Sequence, residues 1–207
     1  MFLVFEGIDG SGKSTQAALL ADHLRKERGA DVLLLREPGG TDLGEKLRRL
    51  ILDPGGEDLA PETEIFLFMA ARAHLVRTRI LPALAGGRIV ICDRFIWSTA
   101  VYQGLAAGVS HVEILRMGRL AAPGLAVTRT FLIDIPPETA FRRVKDPNRM
   151  EGRGIAFQRR VRSGFLSLAA RYPRRVAVID GTGSQAAVHE RVLSRLPAHG
   201  WSRCSSR

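Results

Sequence analysis

Short apolar runs alternate with longer amphipathic stretches along this chain. The runs at residues 2–6, 32–36, 89–93, 130–135 and 176–180 are apolar at nearly every position, as expected of strands covered on both faces. Between them the spacing changes to that of helices. Residues 14–28 repeat leucine at helical intervals through Leu19, Leu20 and Leu24, a second helix is predicted over 42–52, and a third over 61–84. Pro61, Glu62 and Glu64 mark the start of the third, since proline suits a first turn and acids suit its positive end. Gly86-Gly87 closes it. Ile65 to Ala71 is apolar nearly all round, so this helix is either deeply buried or partly covered by another subunit.

Strands alternating with helices imply right-handed crossovers and a parallel sheet with helices on both faces. In such a sheet the site lies at the carboxyl ends of the strands. Gly7, Glu37, Asp93 and Gly181 stand at those ends.

The first strand runs into Gly7-Ile8-Asp9-Gly10-Ser11-Gly12-Lys13-Ser14, followed by Thr15 and the first helix. This fits G-x-x-x-x-G-K-[ST] in the order strand, loop, helix, the signature of a nucleoside triphosphate site. The glycines let successive N–H groups point at one anion, Lys13 adds a point charge, and Ser14 offers a hydroxyl to Mg²⁺. A glycine-rich turn that binds nothing would not require Gly-Lys-Ser at the helix mouth. Ile89 to Cys92 ends in Asp93, the pattern in which a carboxylate at a strand end holds the Mg²⁺ shell, so Ser14 and Asp93 are the metal candidates. Arg94 follows, and its fork suits a second phosphate, that of an acceptor. Arg36-Glu37-Pro38-Gly39-Gly40-Thr41 leaves the second strand on the same edge, either as a close approach to substrate or as a tight turn with a helix cap. Arg72 carries more hydrogen-bond donors than its apolar helix can satisfy, so it should reach into a cleft, with Phe68 one turn earlier as a plate for a base.

Length and composition narrow the class. The 207 residues suit one domain, assigned to 1–196. The polar stretch 197–207 shows no periodicity and is expected to fray. Cys92 and Cys204 are too few and too distant for a disulfide framework or a metal motif. No apolar run approaches membrane length and the start lacks a signal-peptide pattern, so a cytoplasmic protein without membrane contact is expected. The net charge of +10 is spread over many arginines, and aromatics make up only 6%, with no stacking platform; anionic small molecules, not nucleic acid, are the expected partners. Arginines crowd residues 142–163 among Pro147, Gly152 and Gly154, and a basic flap at about 142–154 could close over a triphosphate.

Five blocks together resemble the thymidylate kinase family: Phe-Glu-Gly-Ile-Asp-Gly-Ser-Gly-Lys-Ser-Thr-Gln at 5–16, Arg-Glu-Pro-Gly-Gly-Thr at 36–41, Leu-Phe-Met-Ala-Ala-Arg at 67–72, Asp-Arg-Phe-Ile-Trp-Ser-Thr-Ala-Val-Tyr-Gln-Gly at 93–104, and Asn-Arg-Met-Glu at 148–151. The resemblance implies a P-loop NTPase fold like that of nucleoside monophosphate kinases, with a five-stranded parallel sheet flanked by helices on both faces. It implies ATP- and Mg²⁺-dependent phosphorylation of dTMP to dTDP by a homodimer. Matched position by position, residues 7–15 would bind ATP, and Asp9 would sit near the 3′-hydroxyl of dTMP. Phe68 would stack on thymine, Arg72 would hydrogen-bond its carbonyl edge, and Arg94 would grip the acceptor phosphate. Glu37 would approach that phosphate or its metal waters. Ser98, Thr99 and Gln103 would line the pocket, with Tyr102 crowding the 2′ position.

Ser11 stands where one branch of the family carries its catalytic arginine, so here that arginine comes from the flap. Arg142, Arg143, Arg149 and Arg153 are candidates, with Arg149 and Arg143 first and Arg143 also placed to stack on adenine. The chain departs from the family pattern in Phe95 where tyrosine is usual, in a short flap with Asn148 for aspartate, and in Asp180-Gly181-Thr182 where Asp-Ala is common. Two other readings stay open at this point: a related nucleoside or nucleotide kinase with another base preference, and a basic nucleic-acid-dependent ATPase.

Overall fold

The computed structural model describes residues 1–143 and 153–197. Five strands, β1 (Phe2–Glu6), β2 (Val32–Arg36), β3 (Ile89–Asp93), β4 (Arg129–Asp134) and β5 (Val176–Asp180), form one sheet in the order β2-β3-β1-β4-β5. Every adjacent pair is parallel. The expected sheet is therefore present, with β4 beginning one residue early because Arg129 pairs with Leu3 of β1.

The helices are α1 (Lys13–Arg28), α2 (Asp42–Leu52), α3 (Pro61–Leu75), α4 (Leu81–Ala85), α5 (Ile96–Thr99), α6 (His111–Ala121), α7 (Pro137–Phe141), α8 (Gly154–Arg171) and α9 (Gln185–Leu193). One face of the sheet packs Leu3, Phe5, Phe131 and Ile133 against Leu20 and Leu24 of α1 and Val188 and Val192 of α9. The other packs Phe2, Val4 and Val90 against Leu75, Ile80 and Phe95. Each such side chain withdrawn from water contributes roughly 1.5–3 kcal/mol before conformational entropy is counted. A third cluster joins α3, α6 and α8 through Ile65, Met69, Ile114, Val161 and Phe165.

The long helix expected over 61–84 is interrupted. A π-helical turn, Val76–Ile80, separates α3 from α4, and Pro82 stands in the first turn of α4. Proline has no N–H to give the carbonyl four residues back and its ring crowds that carbonyl, so the ladder widens there. The apolar character of α3 resolves into two faces. Ile65, Met69 and Leu75 are buried, whereas Phe66 is 65% exposed. A second π-helical turn, Ala100–Leu105, continues α5, and periodicity gave no sign of it. Of the flap expected at 142–154, only Arg142, Arg143, Arg153 and Gly154 are described, and of the tail only Pro197. No described helix is long and apolar enough to cross a membrane.

Candidate active site

The glycine-rich loop joins β1 to α1 in the middle of the sheet. Gly12 occupies the N-cap of α1 and provides no side-chain cap, so the N–H groups of the first turn have no acceptor within the helix and face outward with its positive end. The loop cannot carry side chains at two points. A Cβ on Gly7 (φ +146°) would lie 2.6 Å from the Ile133 carbonyl oxygen, and one on Gly10 (φ +76°) 2.4 Å from that of Ala140. Lys13 folds back over the loop, with Nζ 3.4 Å from the Ile8 carbonyl oxygen and 3.7 Å from Asp9 Oδ1. Burial and the nearby Arg94 charge lower its pKa, against the pull of Asp9, Asp93 and Glu6.

Cavities lie on both sides of this loop. One, of about 150 Å³, is lined by Asp9, Lys13, Ser14, Glu37, Phe68, Arg72, Asp93, Arg94, Ser98, Thr99, Tyr102 and Gln103. The structure thus brings twelve of the expected residues, from four segments of chain, to one cleft. The other, of about 490 Å³, is lined by Gly10, Ser11, Gly12, Thr15 and Arg143 together with Gly181, Gly183 and Ser184 beyond β5. Gly7 and Ile8 line neither. Ile8 is buried in the core and offers its carbonyl to Lys13, while the Gly7 carbonyl accepts from Arg94 Nη1 at 3.3 Å. Arg149 lies outside the described residues.

Arg94 is the one described non-glycine residue with positive φ, +71°. Its guanidinium donates to Asp9 Oδ1, to Ser98 Oγ at 2.9 Å and to the Tyr102 hydroxyl at 3.4 Å. Tyr102 in turn donates to Asp9 Oδ2 at 2.7 Å. Burial pushes the Asp9 carboxyl up, but the Arg94 and Lys13 charges and the Tyr102 hydrogen bond outweigh it and hold Asp9 at about 2. Beneath this group lies Glu6, fully buried at the end of β1. Its carboxylate accepts from the N–H groups of Phe95 and Ser98 at 3.0 and 3.1 Å and from Ser98 Oγ at 2.6 Å. Burial raises Glu6 to about 7, although Ser98, Arg94 and the two N–H groups all favour its ionised form.

Arg72 crosses from α3 into the same cleft with 1% of its surface exposed. Nε donates to Glu37 Oε2 at 2.8 Å, Nη2 to Thr99 Oγ1 at 3.1 Å, and Cζ lies 5.3 Å from the Phe95 ring centroid. Glu37 Oε1 is buried and has no partner among the described residues. Burial raises the Glu37 pKa, with the Arg72 charge acting in the opposite direction.

Ser14 Oγ donates to Asp93 Oδ2, and Asp93 Oδ1 is buried with no partner among the described residues. A hydroxyl and a carboxylate beside a triphosphate cradle form the hard-oxygen set that suits Mg²⁺ and its waters, so these residues fit the ion.

Comparison with known proteins points to one family. The family described as Thymidylate kinase matches residues 5–192. The chain belongs to the thymidylate kinase family. It is 47% identical over 198 residues to a thymidylate kinase of Caldanaerobacter subterraneus subsp. tengcongensis, covering 94% of each chain. It is 48% identical over 209 residues to one of Ruegeria pomeroyi, covering 96% of this chain and 95% of that one. The crystal structure of thymidylate kinase from Ehrlichia chaffeensis superposes with a TM-score of 0.77 at 37% identity, over 94% of this chain and 97% of that one.

Several residues of this thymidylate kinase cleft were not singled out by sequence. Arg48 and Leu52 of α2 line it, and Arg48 Nη1 donates to the Pro38 carbonyl at 2.9 Å. Their only signal is a helix that follows a strand end on the site edge. Glu6 and Glu64 support it from behind and are both completely buried. A carboxylate closing the apolar run Phe2–Phe5 was a usable signal for Glu6, because a buried charge persists only where it is paired. Glu64 sits among exposed acids at a helix start, where a dipole role is the ordinary reading.

Proposed function

We propose that the cleft beside Arg94 holds dTMP and that the phosphate loop with the cavity beyond it holds ATP. The chain is a phosphotransferase that converts ATP and dTMP to ADP and dTDP, as its membership of the thymidylate kinase family implies. The two cavities flanking one loop support this reading, since they leave room for an acceptor and a donor on either side of the phosphate loop.

Within this arrangement Arg72 donates to the carbonyl edge of thymine and Phe68 stacks on the ring. Arg94 grips the acceptor phosphate, held in place by Asp9, Ser98 and Tyr102. Asp9 meets the 3′-hydroxyl, and Tyr102 fills the space a 2′-hydroxyl would need. Lys13 and the N–H groups of the loop bind the donor phosphates, while Arg143, 3.3 Å from the Gly10 carbonyl, faces adenine together with Gly181. Ser14 and Asp93 hold Mg²⁺, which neutralises phosphate charge when bound. Because phosphoryl transfer asks mainly for positioning and charge neutralisation, no strong general base is needed.

We infer further that two copies associate through α2 and α3, where Leu43, Leu50 and Phe66 are exposed. The buried, reduced Cys92 and the anionic substrates suit a cytoplasmic enzyme. A coupled ADP-release assay with ATP and Mg²⁺, comparing dTMP, dUMP and no acceptor, tests the reaction. Turnover that requires dTMP is expected; acceptor-independent hydrolysis would overturn it.

A further inference from the structure

Glu64, in the first turn of α3, is completely buried, yet it is neither in the cleft nor in the phosphate loop. Oε2 accepts from Gln103 Nε2 at 2.7 Å and Oε1 accepts from Arg153 Nη2 at 2.7 Å. Gln103 lines the cleft from the π-helical turn and is itself 1% exposed.

This pairing settles the polarity of the Gln103 amide. A carboxylate only accepts, so the amide must turn its nitrogen toward Glu64, which leaves its carbonyl end for the cleft. Arg153, whose Cζ lies 5.1 Å from the Phe157 ring centroid, supplies the charge that lets a carboxylate be buried there. A carbonyl at the cleft accepts a hydrogen bond from a base carrying N3–H, as thymine and uracil do. Cytosine presents a lone pair at N3 and is repelled. Arg72, all donor, makes the same choice one atom further along the ring, where thymine has an oxygen and cytosine an amino group.

We propose that Glu64 is a positioning residue that fixes the orientation of the Gln103 amide and thereby makes the acceptor site reject cytosine. The inference rests on the assignment of the cleft to dTMP. Wild-type enzyme without dTMP turnover would remove that assignment, whereas the present inference is tested only by how variants change the ratio of kcat/KM for dTMP to that for dCMP.

Glu64→Gln keeps the shape but can donate or accept, freeing the Gln103 amide to turn over. Its dTMP to dCMP ratio is expected to fall by about tenfold to a hundredfold, the range for an unmatched buried hydrogen-bond group. Glu64→Asp still only accepts and should keep the wild-type preference even if turnover drops. In a Gln103→Met background, Glu64→Gln should change the ratio no further, a non-additivity that a merely structural role would not produce. If Glu64→Gln alone does not fold, the pair Glu64→Gln/Arg153→Met removes the stranded charge and is read the same way. An unchanged ratio in the folded variant, or an equal fall with and without Gln103, would overturn the inference.

Discussion

Arg72 Nε and Glu37 Oε2 meet at 2.8 Å across the cleft, between side chains that are 1% and 4% exposed. The residue expected to read the base is therefore also half of a buried ion pair. Removing Arg72 strands Glu37 without its partner, which costs about 3–5 kcal/mol. Arg72→Ala should lose both activity and stability, as measured by urea denaturation beside turnover of dTMP. Arg72→Met/Glu37→Gln should recover most of the stability and none of the activity. Recovery of both would show that Arg72 serves the fold alone.

Arg72 also illustrates what was legible in the sequence. Its excess of donors on an apolar helix pointed to a cleft, and the structure puts it there, but its pairing with Glu37 was not foreseen because no local pattern links strand β2 to helix α3. The five strands were readable because a parallel sheet buries both faces of each. The interruptions were not. Pro82 announces a disturbance in the third helix but not its form, and the turn that places Tyr102 and Gln103 in the cleft carries neither proline nor a break in polarity. Contacts between distant segments, such as Glu64 with Gln103 and Arg153, leave no periodic trace at all.

Glu6 makes stability depend on pH. Its carboxyl titrates near 7 in the folded chain against an ordinary 4.5. Between those values the native state holds a proton that the unfolded chain has released, so the stabilisation present below pH 4.5 is lost as pH rises toward 7. The loss is on the order of 3 kcal/mol. Glu6→Gln should flatten this slope between pH 5 and 7. Parallel slopes for variant and wild type in denaturant titrations would contradict the assignment.

Asp9 acts at the other end of the scale. Held at about 2, it contributes stability that is complete above its ordinary value of 3.8 and lost as pH falls through 2. Tyr102→Phe removes one of its hydrogen bonds but keeps the ring, so a stability loss of about 1 kcal/mol is expected. The acid limb of unfolding should also move to higher pH. An unmoved acid limb would show that Tyr102 does not hold the Asp9 charge.

Gly10→Ala places a Cβ 2.4 Å from the Ala140 carbonyl oxygen in a backbone with φ +76°. The loop must open, costing about 1–3 kcal/mol. KM for ATP should rise more than KM for dTMP, because the cavity proposed for ATP contains Gly10 and the cleft proposed for dTMP does not. Equal changes in both constants would argue against separate donor and acceptor sides.

Ser14→Ala removes the hydroxyl that donates to Asp93. The Mg²⁺ concentration giving half-maximal turnover should increase, with little change in melting temperature measured without nucleotide. Chelation of Mg²⁺ should stop turnover in wild type and variant alike. An unaltered Mg²⁺ requirement in the variant would remove Ser14 from the metal shell.

The left-handed backbone at Arg94 leaves that position without a harmless replacement. Lysine or alanine would inherit the unfavourable conformation and lose the fork that Asp9, Ser98 and Tyr102 now hold. Glycine would relax the backbone while giving up the cation. Whatever drifts elsewhere in the chain, selection at residue 94 therefore has a single occupant to keep, and a library randomised at this codon should return arginine alone among its active clones.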